Sequence, residues 1–154
     1  MFPSLKEFFL EIKGKKVLFV GLGNEMRGDD GAGLYFVEKI AELNRNNWRV
    51  LKVGVSLENW LGRIISSDSS LIVLVDSSYF GGKVGEMKLL DLKKITAPGF
   101  THNFSFPMVI HMMEESGKEV KFLGIQPKRT KLGEELSSEV KGSIEKFFLW
   151  LKNA

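Results

Sequence analysis

Hydrophobic residues along this chain form both continuous runs and helically spaced stripes. The strand pattern occurs in five segments, at residues 17–21, 49–55, 71–75, 86–92 and 120–125. Residues 71–75 are apolar throughout, so we expect a strand that is covered on both faces. Residues 86–92 alternate between apolar and polar positions, which predicts a strand at the edge of the sheet.

Apolar positions three and four residues apart predict helices at residues 2–12, 34–43, 57–65, 105–116 and 136–151. Pro3 and Ser4 are typical of a helix start, and Gly14 is typical of a helix stop. Ser56 is placed to cap the third helix. The polar face of the first helix is not strongly basic, which favours packing on the domain over docking on a membrane.

This alternation of strands and helices predicts an α/β fold with a mostly parallel sheet and helices on both faces, a three-layer sandwich. The length of 154 residues suits one domain. We expect an extra N-terminal amphipathic helix within residues 1–15 and a core at residues 17–152. Open sheets of this kind bind ligands beyond the carboxyl ends of their strands, so chemistry is expected in the loops that follow them.

Composition excludes several classes of site. The chain has no cysteine, so a disulfide framework, a thiolate metal site and a cysteine nucleophile are ruled out. The net charge of +3 is small and the basic residues are scattered, which argues against nucleic-acid binding. No apolar run has the length of a membrane span, and the N-terminus does not have a signal-peptide pattern. We therefore expect a cytoplasmic protein.

The loop after the first predicted strand, residues 21–33, is rich in glycine but does not match a nucleotide site. Gly21 and Gly23 fit the start of a dinucleotide fingerprint, whereas Met26 occupies its third glycine position. Asp29 stands where a phosphate loop requires lysine, and Asp30 follows it. Two carboxylates repel phosphate, so the loop is better suited to a cation.

Each candidate residue also has an ordinary structural interpretation. Asp29 or Asp30 alone would more commonly cap the following helix. Asp76, directly after the apolar run at 71–75, is equally consistent with a local turn through Ser77. His102 alone would more commonly be a solvent-exposed loop histidine.

The functional interpretation is favoured when these candidates are considered together, because Asp30, Asp76 and His102 all fall in predicted strand-to-helix loops at one edge of the sheet. Two carboxylates and one imidazole form an oxygen and nitrogen site for a divalent metal such as nickel or zinc. Three protein ligands with an open position are typical of catalytic metal sites.

At these residues the chain resembles the hydrogenase maturation proteases, the C-terminal processing endopeptidases of [NiFe]-hydrogenase large subunits. The resemblance rests on motifs in the family's order and approximate spacing: Gly21-Leu-Gly-Asn24, Gly28-Asp-Asp-Gly31-Ala-Gly33, Leu74-Val-Asp76, Thr101-His-Asn103 and Leu123-Gly-Ile-Gln-Pro127. It covers about residue 17 to the C-terminus, and implies a twisted five-stranded sheet between helices.

The resemblance also implies a function. Asp30, Asp76 and His102 match the family's metal-contacting residues, and the metal is nickel presented by the substrate. Zinc or cadmium is expected to be able to occupy the same site, and no organic cofactor is expected. The activity implied is removal of a short C-terminal extension from the large-subunit precursor after nickel insertion, by a monomeric protein. The loop residues expected to allow substrate approach are Gly21, Gly23, Asn24, Asp29, Gly31 and Gly33.

Within this hypothesis Asp76 is the favoured general base, and Asp29 supports or caps the loop. Nickel either polarises the scissile carbonyl or serves only in recognition. Two alternatives remain: a non-catalytic metal-recognising assembly protein, and, less favoured, a nucleotide-binding enzyme on a Rossmann-like sheet.

Overall fold

The chain forms a five-stranded sheet that lies between two layers of helices. The computed structural model describes residues 4–95 and 105–154. The strands are β1 (Val17–Leu22), β2 (Trp48–Gly54), β3 (Leu71–Ser77), β4 (Met87–Leu90) and β5 (Glu119–Ile125). The α-helices are α1 (Leu5–Glu11), α2 (Ala32–Glu42), α3 (Leu61–Ser66), α4 (Ser105–Glu115) and α5 (Ser138–Lys152). Short 3-10 turns occupy Gly28–Gly31, Leu57–Trp60 and Leu92–Lys94.

The order of strands in the sheet is β2-β1-β3-β5-β4. The first four strands in this order are parallel, and β4 pairs antiparallel with β5. The predicted α/β class with a mostly parallel sheet is therefore confirmed, as is the prediction that residues 86–92 contain an edge strand.

Side-chain alternation along the strands divides the core into two layers. Helices α1, α2 and α5 cover one face of the sheet, and α3 and α4 cover the other. On β3, Val73 and Val75 contact the first layer while Ile72 and Leu74 contact the second. Every residue of β3 is buried, as expected for a central strand whose two faces are both covered.

Helix α1 belongs to the core because Phe8, Phe9 and Ile12 are buried. The ring of Phe9 contacts five other aromatic rings, those of Phe8, Phe19, Phe36, Trp48 and Phe147. The Trp48 Nε1–H group donates to the Ile12 carbonyl over 3.2 Å, which joins the end of α1 to the start of β2. The helix therefore closes the core at the amino-terminal end of the sheet. Within residues 4–95 and 105–154, no helix has the length and apolar character needed to cross a membrane.

Several predicted helix ends are wrong. Ser56 precedes a 3-10 turn and makes no side-chain cap, and α3 begins only at Leu61. Helix α1 ends at Glu11, before Gly14. Neither Asp29 nor Asp30 caps α2, whose N-cap residue is Gly31 without a side-chain hydrogen bond.

The chain leaves β1 toward β2 on one side of the sheet and returns to β3 on the other, so a topological switch point lies between β1 and β3. Helix α2 approaches the sheet closely at this point. A Cβ on Gly33 would lie 2.2 Å from the Val75 carbonyl oxygen, and one on Gly21 would lie 2.6 Å from Val37 Cγ2. These two glycines therefore allow close packing of α2, and the loops after β1 and β3 meet beside it.

Candidate active site

Asp76 lies near the carboxyl end of β3, where it is 2% exposed. Its Oδ1 atom accepts the Ser77 N–H at 2.8 Å. Burial, and then the negative charge of Asp30, raises the pKa of the Asp76 carboxyl well above its ordinary value. The Ser77 N–H lowers this pKa without reversing the direction. Asp76 is thus a buried acid whose charged form lacks a compensating cation among the described residues.

Asp30 reaches the same place from the 3-10 turn that follows β1. Its Oδ2 accepts the Asn24 N–H at 3.1 Å, and its Oδ1 accepts the Ser77 hydroxyl at 3.1 Å. Ser77 therefore contacts both acids, one through its backbone N–H and the other through its hydroxyl. This shared partner brings the two carboxylates together at the switch point.

Gly23 separates the two acids and sets their approach. It has φ +114°, and its N–H donates to the Gly54 carbonyl over 2.9 Å. A Cβ at this position would lie 1.9 Å from the Asp30 carbonyl oxygen and 3.0 Å from Asp76 Oδ1. Only glycine has both the backbone freedom and the lack of a side chain that this position requires.

The two adjacent aspartates of the loop face different surroundings. The Asp29 carboxylate is completely buried and is bound by donors from residues 128–137, whereas Asp30 faces Ser77. The structure therefore places Asp30 with Asp76 and directs Asp29 elsewhere. Asn24 joins the pair through its backbone N–H, and its side-chain Oδ1 accepts the Met26 N–H at 2.9 Å.

The predictions for Thr101, His102 and Asn103 lie outside the described residues. Within residues 4–95 and 105–154, no cluster of three or more histidine, cysteine or acidic side chains has a metal-binding arrangement. Asp30 and Asp76 supply two oxygen ligands of the kind that divalent cations accept. The other histidine, His111, is an exposed surface residue on α4, near Glu115.

The chain is similar in sequence and in fold to known proteins. The family model described as hydrogenase maturation protease (HycI) matches residues 34–150. The hydrogenase 3 maturation protease of Escherichia coli K12 is 32% identical over 126 residues, covering 80% of this chain and 81% of that protein. This chain belongs to the hydrogenase maturation protease family.

Solved structures agree with this family assignment. The crystal structure of the [NiFe] hydrogenase maturation protease HycI from Thermococcus kodakarensis matches with a TM-score of 0.80 and 31% identity, over 92% of this chain and 94% of that chain. The maturation protease HybD from the same organism matches with a TM-score of 0.70 and 28% identity, covering 90% and 97%. Membership in a family of endopeptidases, which are hydrolases, leaves the nucleotide-binding alternative without support.

Two contacts around the site were not foreseen from the sequence. The sequence indicates Ser77 only as a turn partner of Asp76, yet its hydroxyl binds Asp30. Gln126, the only glutamine, accepts the N–H groups of Phe80 and Gly82 at 2.9 and 3.1 Å and so holds the loop after β3. The Leu123–Pro127 motif contained the signal for Gln126, but its partners are distant in sequence.

Proposed function

We propose that this protein is an endopeptidase that removes the C-terminal extension of a [NiFe]-hydrogenase large-subunit precursor after nickel insertion. In this proposal Asp30, Asp76 and His102 contact the nickel that the precursor presents. The observation that carries it is the pair of carboxylates, one buried, at the switch point of a sheet that belongs to this family.

Electrostatics favours a cation as the element that this site recognises. The two carboxylates disfavour each other's charge, and burial adds to the cost for Asp76. A divalent ion between them would offset both costs and would favour the charged form of Asp76. Asp76 would then be able to act as a general base toward water, while Asp30 is held by Ser77 and Asn24.

The surface around the pair suits a protein substrate. An exposed apolar side chain occurs on each of the loops that follow the four parallel strands. These side chains and their exposed fractions are Met26 (62%), Val55 (45%), Tyr79 (63%) and Leu132 (68%). Gly133 donates its N–H to the Met26 carbonyl, so the loops that carry Met26 and Leu132 adjoin. Apolar groups gathered at one edge are typical of a surface that contacts another macromolecule.

The decisive experiment compares a nickel-loaded precursor with its nickel-free form, using mass spectrometry to follow loss of the extension. We expect cleavage of the loaded form alone. Asp76→Asn and Asp30→Asn should abolish it, whereas Asp68→Asn, an exposed carboxylate paired with Lys16, should not. Equal cleavage of both precursors would contradict nickel recognition.

The same experiment distinguishes the assembly-protein alternative. Binding of the loaded precursor without cleavage would support that alternative and reject the protease proposal for this substrate. Cleavage that persists when nickel in the precursor is replaced by another divalent ion of similar geometry would show that the reaction requires the charge and geometry of the ion and not nickel itself.

A further inference from the structure

Asp29 has an unusual set of contacts for a residue next to a candidate active-site acid. Its carboxylate is 0% exposed and accepts four hydrogen bonds. The donors are the N–H groups of Lys128 at 2.8 Å and Arg129 at 3.2 Å, and the N–H and hydroxyl of Ser137 at 2.7 and 2.8 Å. All four come from the connection between β5 and α5, about 100 residues away along the chain.

Backbone hydrogen bonds join the same two segments. The Asp29 N–H donates to the Arg129 carbonyl over 2.8 Å, and the Gly28 N–H donates to the Glu134 carbonyl over 2.9 Å. The Gly133 N–H returns a bond of 2.8 Å to the Met26 carbonyl. We call this set of contacts between residues 26–29 and residues 128–137 the seam. It fixes one side of the loop that carries Asp30.

The other side of the seam is anchored by helix α5. Ser137 is the N-cap residue of α5, and its hydroxyl oxygen accepts the Val140 N–H at 3.3 Å while donating to Asp29. Val140 and Ile144 then bury the helix in the core. The loop is therefore held by a helix whose own position is determined by core packing, which makes it a rigid support.

Asp29 and Asp30 occupy one 3-10 turn, where successive side chains project about 120° apart. When Asp29 is held in the seam, Asp30 is directed toward Ser77 and Asp76 on the other side of the turn. Only a carboxylate can hold Asp29 in the seam in this way, because its two oxygens together accept four hydrogen bonds. An amide would place its NH2 group opposite at least one of the four donors.

We propose that Asp29 is a positioning residue that holds the Asp30 carboxylate at its separation from Asp76 through the seam with α5. Asp29 itself does not contact the substrate or its nickel. The effect on cleavage rests on the proposed function, whereas the effect on the geometry of the free protein does not.

The test replaces Asp29 with asparagine, which keeps the size of the side chain. We expect kcat for the nickel-loaded precursor to fall by roughly 10- to 100-fold while KM changes by a much smaller factor, because the acids are misplaced whereas Val55 and Tyr79 of the docking surface lie outside the seam. The matched control is Ile12→Val, which weakens the packing at the end of α1, at the amino-terminal end of the sheet and away from the seam. It should leave kcat unchanged.

A second readout does not depend on cleavage. The Asn24 N–H binds the carbonyl and the carboxylate of Asp30, so its amide hydrogen exchange in the free protein reports the position of Asp30. We expect Asp29→Asn to accelerate this exchange by roughly tenfold or more relative to Ile12→Val. If Asp29→Asn does not fold, Ser137→Ala, which removes one of the four donors, should show the same changes to a smaller degree.

The outcomes separate the two proposals. Accelerated Asn24 exchange with lowered kcat supports the positioning role. Unchanged exchange and unchanged kcat in a folded Asp29→Asn protein would overturn it. If the wild-type protein does not cleave the precursor, the proposed function fails, and the exchange measurement alone still decides whether Asp29 positions Asp30.

Discussion

Gly23→Ala is expected to disable the site while leaving the fold in place. The added Cβ would lie 1.9 Å from the Asp30 carbonyl oxygen, and ordinary van der Waals contact begins near 3.4 Å. The loop must therefore move by about 1.5 Å, and Asp30 moves with it. A displacement of about 1 Å at a catalytic group can cost about 100-fold in rate, so we expect kcat/KM to fall at least that far.

The assay pairs cleavage of the nickel-loaded precursor with unfolding in urea. Gly23→Ala should also lower the free energy of unfolding, and part of this loss comes from φ +114°, a conformation that costs a non-glycine residue about 1–3 kcal/mol. Gly117→Ala is the matched control. Gly117 has φ +94°, and no heavy atom lies within 4 Å of a Cβ added there. It lies in the turn before β5, at the amino-terminal end of the parallel strands and away from the site. It should lose only the stability that the positive φ costs, and it should keep full activity.

Cleavage of the precursor at the wild-type rate by folded Gly23→Ala would refute this prediction. That result would mean that the separation of Asp30 and Asp76 is not critical for the reaction. Equal losses of activity in Gly23→Ala and Gly117→Ala would instead assign the effect to general destabilisation.

Three further predictions follow from burial and exposure. The pKa of Asp76 is raised in the folded protein, so the folded state binds a proton more tightly at this residue than the unfolded state does. The free energy of unfolding should therefore fall as the pH rises from the ordinary carboxyl pKa toward the raised pKa. Asp76→Asn should remove this dependence and raise stability at neutral pH by about 0.5–2 kcal/mol in urea unfolding, and a variant less stable than wild type at neutral pH would contradict the argument. Phe9→Ala should cost about 3–5 kcal/mol, since Phe9 is 1% exposed, whereas Leu10→Ala beside it on the exposed side of α1 should cost little; equal effects would refute a core role for α1. Tyr79→Ala should raise KM for the precursor about tenfold with kcat unchanged, and Leu149→Ala, equally exposed on α5, should change neither; an unaltered KM for Tyr79→Ala would remove that side chain from the docking surface.

The secondary structure could be predicted from the sequence because its signals are local. The apolar run that forms β3 and the helical stripe that forms α5 each identify an element without reference to the rest of the chain. The failures occurred where a side chain could bond in more than one way. Ser56 has the residue type of a cap but makes no cap bond, since the chain enters a 3-10 turn there.

The candidate site was predictable in its residue types and in its edge of the sheet. The rule that ligands lie beyond the carboxyl ends of parallel strands singles out the loops of Asp30 and Asp76, whatever the packing details. From the sequence, Asp30 is assigned to the metal and Asp29 to a supporting role, but residue type and position give no physical reason for this division, because the two are neighbours of the same type. Their different roles depend on partners at Ser77 and Ser137 that are distant along the chain.

The sequence by itself therefore determined the elements, the class of fold and the exclusion of thiolate from the site, since a chain without cysteine can offer a metal no thiolate. Only the tertiary structure supplied the contacts that pair Asp30 with Asp76 and separate Asp29 from them. Hydrogen bonds and Coulomb interactions act over a few ångströms, and the order of strands determines which distant residues come within that range. Placing β1 beside β3 brings Asp30 to Asp76, and the return of the chain from β5 to α5 gives Asp29 its separate partners.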